Sequence, residues 1–128
     1  MIYVDTSVLL AQLLTEEKRP PRRLWEEGLV SSRLLEYEAW SRLQRRALGD
    51  THGPLLERML GSIAFLELRQ DVLARAKDPF PVPVRTLDAL HLSSLAFLAE
   101  RGVRAPLASY DERLVAAARA MRLPIARL

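Results

Sequence analysis

The side chains best suited to chemistry in this sequence are carboxylates spread far apart along the chain: Asp5, Glu36 and Glu38, Asp88, and Asp111. Asp5 and Asp111 each stand immediately before a stretch of helical character, where aspartate commonly caps free backbone N–H groups. Asp88 differs, because it shares a helical face with Leu92, Leu95 and Ala99. An acid heading an apolar stripe needs a partner or a metal, since a buried unpaired carboxylate is costly. Brought together, such acids repel one another and their pKa values rise unless a cation sits among them. Carboxylate and water ligands suit hard ions, so Mg²⁺ or Mn²⁺ is the natural occupant. Such an ion activates water for in-line attack on a phosphodiester. Other site chemistries are excluded: the chain has no cysteine, and its two histidines, His52 and His91, are too few for a His-rich zinc site.

The two glutamates compete for one place. Helical spacing puts Glu36 in line with Ala39, Trp40, Leu43 and Ala47, an apolar stripe, whereas Glu38 shares its face with Leu34, Ser41, Arg42 and Arg45. Periodicity favours Glu36 as the buried acid; a cleft-facing glutamate flanked by arginines favours Glu38. The spacing does not choose. Of the 19 basic residues only Lys18 and Lys77 are lysines, so arginine, whose planar fork grips phosphate in bidentate fashion, is the main cation. The basic residues cluster at Lys18–Arg19 with Arg22–Arg23, at Arg42 with Arg45–Arg46, and from Arg113 to Arg127. A polyanionic partner fits that pattern.

The elements that must position these groups follow from the hydrophobic pattern. At 128 residues, 49% apolar and 27% charged, the chain reads as a single compact domain over residues 1–128. Strands are expected at Met1–Asp5, Leu29–Ser31, Ile63–Leu68, Pro106–Tyr110 and Pro124–Leu128. Helices are expected at Thr6–Leu14, at Arg22–Glu27 with Gly28 ending it, from a Ser32 cap to Leu48 with Gly49 and Asp50 as the stop, after Pro54, and over Gln70–Lys77. Another runs over Leu87–Ala99 with Thr86 as its cap, and the last over Asp111–Met121. Phe80–Val84 is an extended lead-in imposed by alternating prolines. Short strands alternating with helices imply a parallel sheet covered on both faces. In such a sheet the ligand site lies beyond the carboxyl ends of the strands, where strand order reverses. Asp5 and Asp111 stand at such ends. No apolar run reaches the roughly 18 residues of a membrane span, and a soluble, cytoplasmic protein is the expectation.

With these motifs in view the sequence resembles a known family. The opening Met1-Ile-Tyr-Val-Asp5-Thr6-Ser7, the segment Ser31-Ser32-Arg33-Leu34-Leu35-Glu36-Tyr37-Glu38, the segment Thr86-Leu87-Asp88-Ala89-Leu90-His91-Leu92, and Ser109-Tyr110-Asp111-Glu112-Arg113-Leu114 resemble the four acidic motifs of PIN-domain ribonucleases, specifically the VapC toxins of toxin–antitoxin pairs. The likeness spans essentially the whole chain. It implies a three-layer α/β/α PIN-like fold with a short central, mainly parallel sheet. It also implies an endoribonuclease using Mg²⁺ or Mn²⁺, held by Asp5, Glu38, Asp88 and Asp111, with Glu36 as the reserve candidate. Ser7 and Ser109 match polar positions beside the aspartates, and His91 is expected to pack or to support the acids from behind. A VapB-like antitoxin, an RNA substrate and a homodimer are the implied partners. The alternative is a catalytically inactive PIN-fold module that binds protein or RNA. A haloacid-dehalogenase-type phosphatase needs a second aspartate where Ser7 stands, and a receiver domain needs an early acidic pair and a late lysine that this sequence lacks.

Overall fold

A computed structural model describes residues 1–128. Four short strands, β1 (Ile2–Val4), β2 (Leu29–Ser32), β3 (Ile63–Leu66) and β4 (Leu107–Ala108), form one sheet in the order β3-β2-β1-β4, and every pairing is parallel. Six α-helices accompany them: α1 (Thr6–Leu13), α2 (Leu34–Arg45), α3 (Gly49–Leu60), α4 (Gln70–Lys77), α5 (Thr86–Glu100) and α6 (Glu112–Ala120).

The strand period of two separates two cores. Val4, Leu29 and Ala108 point into one, with Val8 and Leu9 of α1, Leu35, Ala39 and Leu43 of α2, and Leu56 and Leu60 of α3. Their neighbours Tyr3, Val30 and Leu107 point into the other, with Leu92 and Leu95 of α5 and Leu114, Ala117 and Ala118 of α6. This is the expected three-layer α/β/α arrangement. Fully buried leucines such as Leu35, Leu43 and Leu56 each contribute on the order of 1.5–3 kcal/mol of burial. The nearly all-round apolarity of α5 is explained by its neighbours, since it packs against β2, α4 and α6.

Several boundaries differ from the expectation. The helix capped by Ser32 ends at Arg45, and the residue that reverses the chain is Ala47, with φ of 54°. The Leu48 N–H donates to Leu43 O and the Ala47 N–H to Gln44 O, the bonding of a left-handed helix end in which glycine usually takes the positive φ. Gly49 is therefore free to begin α3, and Pro54 lies inside that helix, not before it. The Arg22–Glu27 stretch is a short 3₁₀ helix over Arg22–Glu26. Pro124–Leu128 is not a strand: Ile125 makes a single parallel bridge to Leu107. Thr86 does not cap α5. Arg85 occupies the cap position but caps nothing with its side chain, because a guanidinium has no acceptor for the free N–H groups; it donates instead to the carboxylates of Asp88 and Asp111. Ser32 keeps the capping chemistry expected of it, its Oγ accepting the Leu34 N–H at 3.1 Å, while its backbone still belongs to β2.

Candidate active site

The strand order places the reversal between β1 and β4, and there the backbone of Asp5 donates to Ala108 O at 3.2 Å. The residues that follow these two strands therefore emerge side by side. Asp5 and Asp111 then open α1 and α6, and each caps its helix: Asp5 Oδ1 accepts from Val8 N, and Asp111 Oδ1 accepts from Arg113 N and Leu114 N. Capping leaves the second oxygen of each acid for other partners, so the structural and chemical readings of these aspartates coincide.

All four acids of the motifs, Asp5, Glu38, Asp88 and Asp111, line one cleft of about 770 Å³ beyond the carboxyl ends of the strands. Asp5 is the most enclosed, 4% exposed. Ser7 Oγ donates to its Oδ1 at 2.6 Å and Ser109 Oγ to its Oδ2 at 2.7 Å. The same two hydroxyls accept from the Tyr110 and Asp111 N–H groups, so both serines tie the loop after β4 to Asp5. Burial pushes the Asp5 carboxyl above the ordinary carboxylate range, and the Ser7 and Ser109 hydrogen bonds pull in the opposite direction.

Glu38 projects from the second turn of α2 and is 19% exposed. Its Oε1 accepts from Thr6 Oγ1 at 2.9 Å and lies 2.6 Å from His91 Nε2, while its Oε2 carries no hydrogen bond within the protein. Glu36 lies outside the cleft. Its side chain is 42% exposed and paired to Arg33 at 2.8 Å, and Arg33 in turn grips Glu67. The helical stripe that favoured Glu36 as the buried acid is thus not the stripe that faces the site.

Asp88, 14% exposed, and Asp111 share a cation that the sequence pattern did not single out. Arg85 reaches Asp88 Oδ2 at 3.1 Å and Asp111 Oδ2 at 3.2 Å. Its charge is held above the usual guanidinium range by the hydrogen bond and charge of Asp88 and then by Asp111. The only trace in the sequence is the three-residue separation of Arg85 from Asp88, a spacing shared by ordinary surface pairs. Thr6 was likewise passed over, although it adjoins Asp5.

Lys18, Arg42 and Arg45 line the same cleft, together with Glu16 and Glu17. Two of the three basic clusters therefore reach it, and the Arg113–Arg127 cluster does not. Tyr37, 66% exposed, stands at the cleft as well. Trp40 packs against Gly53, where an added Cβ would meet its ring at 2.8 Å, and its Nε1 donates to Glu57.

The donor set can be tested against a hard divalent ion on its chemistry. Four carboxylates offer oxygen only, one of them is pushed up by burial, and Glu38 Oε2 and Asp88 Oδ1 are free of hydrogen bonds; this suits Mg²⁺ or Mn²⁺. The acids do not stand in ready-made ligand spacing, for no three of the His, Asp and Glu side chains form such a group. Arg85 joins two of them and His91 and Thr6 hold a third.

Fold and cleft together define an α/β domain with an acidic site at the switch point of a parallel sheet. The chain belongs to the PIN domain family, whose members are in general nucleases; the family model matches residues 2–120. The solved structures to which it is similar include VapC20 of Mycobacterium tuberculosis, a toxin that cleaves the sarcin-ricin loop. That likeness has a TM-score of 0.65 and 19% identity over 91% of this chain and 95% of that one. Another is PAE2754 from Pyrobaculum aerophilum, with a TM-score of 0.63 and 26% identity over 91% of this chain and 78% of that one. No curated protein sequence gives a significant match. No helix is long and apolar enough to cross a membrane.

Proposed function

We propose that this protein is an endoribonuclease, the toxin of a toxin–antitoxin pair, which hydrolyses RNA with Mg²⁺ or Mn²⁺ held by Asp5, Glu38, Asp88 and Asp111. The observation that carries this reading is the meeting of four sequence-distant carboxylates in one cleft that also holds Lys18, Arg42 and Arg45. When bound, the ion supplies an activated water and stabilises charge developing on the scissile phosphate. The protein's own groups do the rest. Ser7 and Ser109 fix both oxygens of Asp5, so that acid enters the reaction already oriented. Arg85 bridges Asp88 Oδ2 and Asp111 Oδ2 in the resting protein; Asp88 keeps its Oδ1 for a ligand, whereas Asp111, whose other oxygen caps α6, must be released by Arg85 to serve as one. Lys18, Arg42 and Arg45 grip the phosphates on either side of the cut. The exposed ring of Tyr37 gives an unpaired base a surface to stack on, which favours single-stranded RNA or loops.

The structural likeness to a toxin that cuts an RNA loop supports RNA as the substrate class. A VapB-like antitoxin that covers the cleft, and a second copy of the chain, complete the proposed set of partners. The test is incubation of the purified protein with total RNA, with and without Mg²⁺ or Mn²⁺, followed by mapping of the ends. Discrete cuts that need the ion are expected. RNA that is bound and never cut with either ion would overturn the nuclease reading and assign the chain to the class of inactive interaction modules.

A further inference from the structure

Glu38 is anchored from inside the core as well as from the cleft. Tyr3 of β1 is fully buried, and its ring meets the His91 imidazole edge-on, with centroids 5.9 Å apart and planes at 90°. The Ser32 N–H donates to the Tyr3 oxygen at 3.2 Å, the Tyr3 hydroxyl lies 2.8 Å from His91 Nδ1, and His91 Nε2 lies 2.6 Å from Glu38 Oε1. The two serine hydroxyls beside Tyr3 spend their protons on backbone carbonyls, Ser31 on Val4 O and Ser94 on Leu90 O. With the Ser32 N–H already donated to the Tyr3 oxygen, the hydroxyl's own proton is directed at Nδ1, the acceptor 2.8 Å away. An imidazole that accepts at Nδ1 carries its own proton on Nε2, facing the carboxylate. The opposite tautomer would set a lone pair against Glu38 at hydrogen-bonding distance.

We propose that Tyr3 and His91 are positioning residues for Glu38: a relay from Ser32 through Tyr3 fixes the Nε2–H tautomer of His91, and that N–H pins Oε1 so that Oε2 remains for a ligand. The relay joins β2, β1, α5 and α2, none of which is a neighbour of all the others in sequence. Its importance to the reaction rests on the reading of Glu38 as a metal ligand; its existence does not. Partners that orient a metal ligand from behind typically change metal affinity or activity by about 10- to 100-fold when lost.

Two measurements test the proposal. In the metal-free protein labelled with ¹⁵N-histidine, His91 is expected to show a protonated Nε2 and an unprotonated Nδ1. A proton on Nδ1, alone or together with Nε2, overturns the relay. In the second, Mn²⁺ binding is followed by calorimetry, and RNA cleavage is read separately as kcat and KM. His91→Gln, which keeps an N–H donor for Glu38, is expected to bind Mn²⁺ within about 3-fold of the parent, whereas His91→Phe loses about 10-fold or more and falls in kcat with KM unchanged. Equal Mn²⁺ affinity in parent, Gln and Phe variants overturns the positioning role. If His91→Phe does not fold, a 10-fold loss of affinity in His91→Gln also overturns it, since the donor is then retained without effect. A parent protein that binds no Mn²⁺ sinks the nuclease reading instead, and the imidazole signals then judge the relay alone.

Discussion

Replacing Tyr3 with phenylalanine removes one oxygen from the centre of the molecule and leaves two buried groups without partners, the Ser32 N–H and His91 Nδ1. Orphaned buried groups cost about 1–3 kcal/mol each. Part of this is offset because a ring without a hydroxyl is easier to bury, so the variant is expected to be less stable by about 3 kcal/mol at pH 7. With an unfolding entropy of about 2.1 cal/mol/K per residue, that loss lowers Tm by about 11 °C. The pH dependence sharpens the test. The folded-state pKa of Tyr3 is raised above the ordinary value of 10.0, so its contribution is fully present below pH 10. It declines as the unfolded chain gives up a proton that the folded protein keeps. One pH unit above 10 the parent should lose about 1.4 kcal/mol from this group, and the phenylalanine variant none. Urea unfolding of both proteins at pH 7 and pH 11 reads the difference directly, because other alkaline titrations are common to the two. A gap of about 3 kcal/mol that narrows to about half is expected. Equal stability at pH 7, or a gap that widens with pH, would refute the reasoning.

The remaining expectations concern the cleft. Asp5→Asn and Asp88→Asn should each abolish ion-dependent RNA cleavage while the near-ultraviolet circular dichroism stays that of the parent; cleavage at the parental rate by either variant removes that acid from the site. Glu38→Gln should lose cleavage and Glu36→Gln should retain it, because only Glu38 lines the cleft and Glu36 is taken up by Arg33; the reverse result would move the site to the other face of α2. RNA affinity should fall steeply as salt rises, and Arg42→Ala or Arg45→Ala should each lower the slope of log K against log salt by roughly 0.7–0.9 without changing sequence preference. A slope unchanged in both variants means that these arginines do not touch phosphate.

Much of the architecture was legible because it is written in local pattern. The apolar, β-favouring run at Ile2–Val4, the Ser32 cap and the apolar stretch of α5 each declare an element, and acids placed just after strands mark the edge where a parallel sheet holds its site. What failed had physical causes. The stop signal at Gly49 misled because Ala47 adopts the left-handed turn that glycine normally takes. The choice between Glu36 and Glu38 was open because a helical wheel reports which face is apolar, not which face meets a cleft, and Arg33 draws Glu36 outward. Arg85 hid behind a spacing that any exposed ion pair shows. The Tyr3–His91 contact spans 88 positions and has no local signature; Tyr3 reads as part of a buried strand and His91 as a packing or supporting residue, and nothing joins the two until the fold sets them against each other.

Titration of the purified protein with Mn²⁺, with the Asp88→Asn variant beside it, tests the central claim most directly. Ligand binding to the folded state at a hundred times Kd adds about 2.7 kcal/mol, which for a chain of this length raises Tm by about 10 °C. A saturable heat of binding and that rise in the parent, both lost in Asp88→Asn, are the predicted result. A parent that neither binds the ion nor gains stability, or a variant that binds it as well as the parent, would contradict the account.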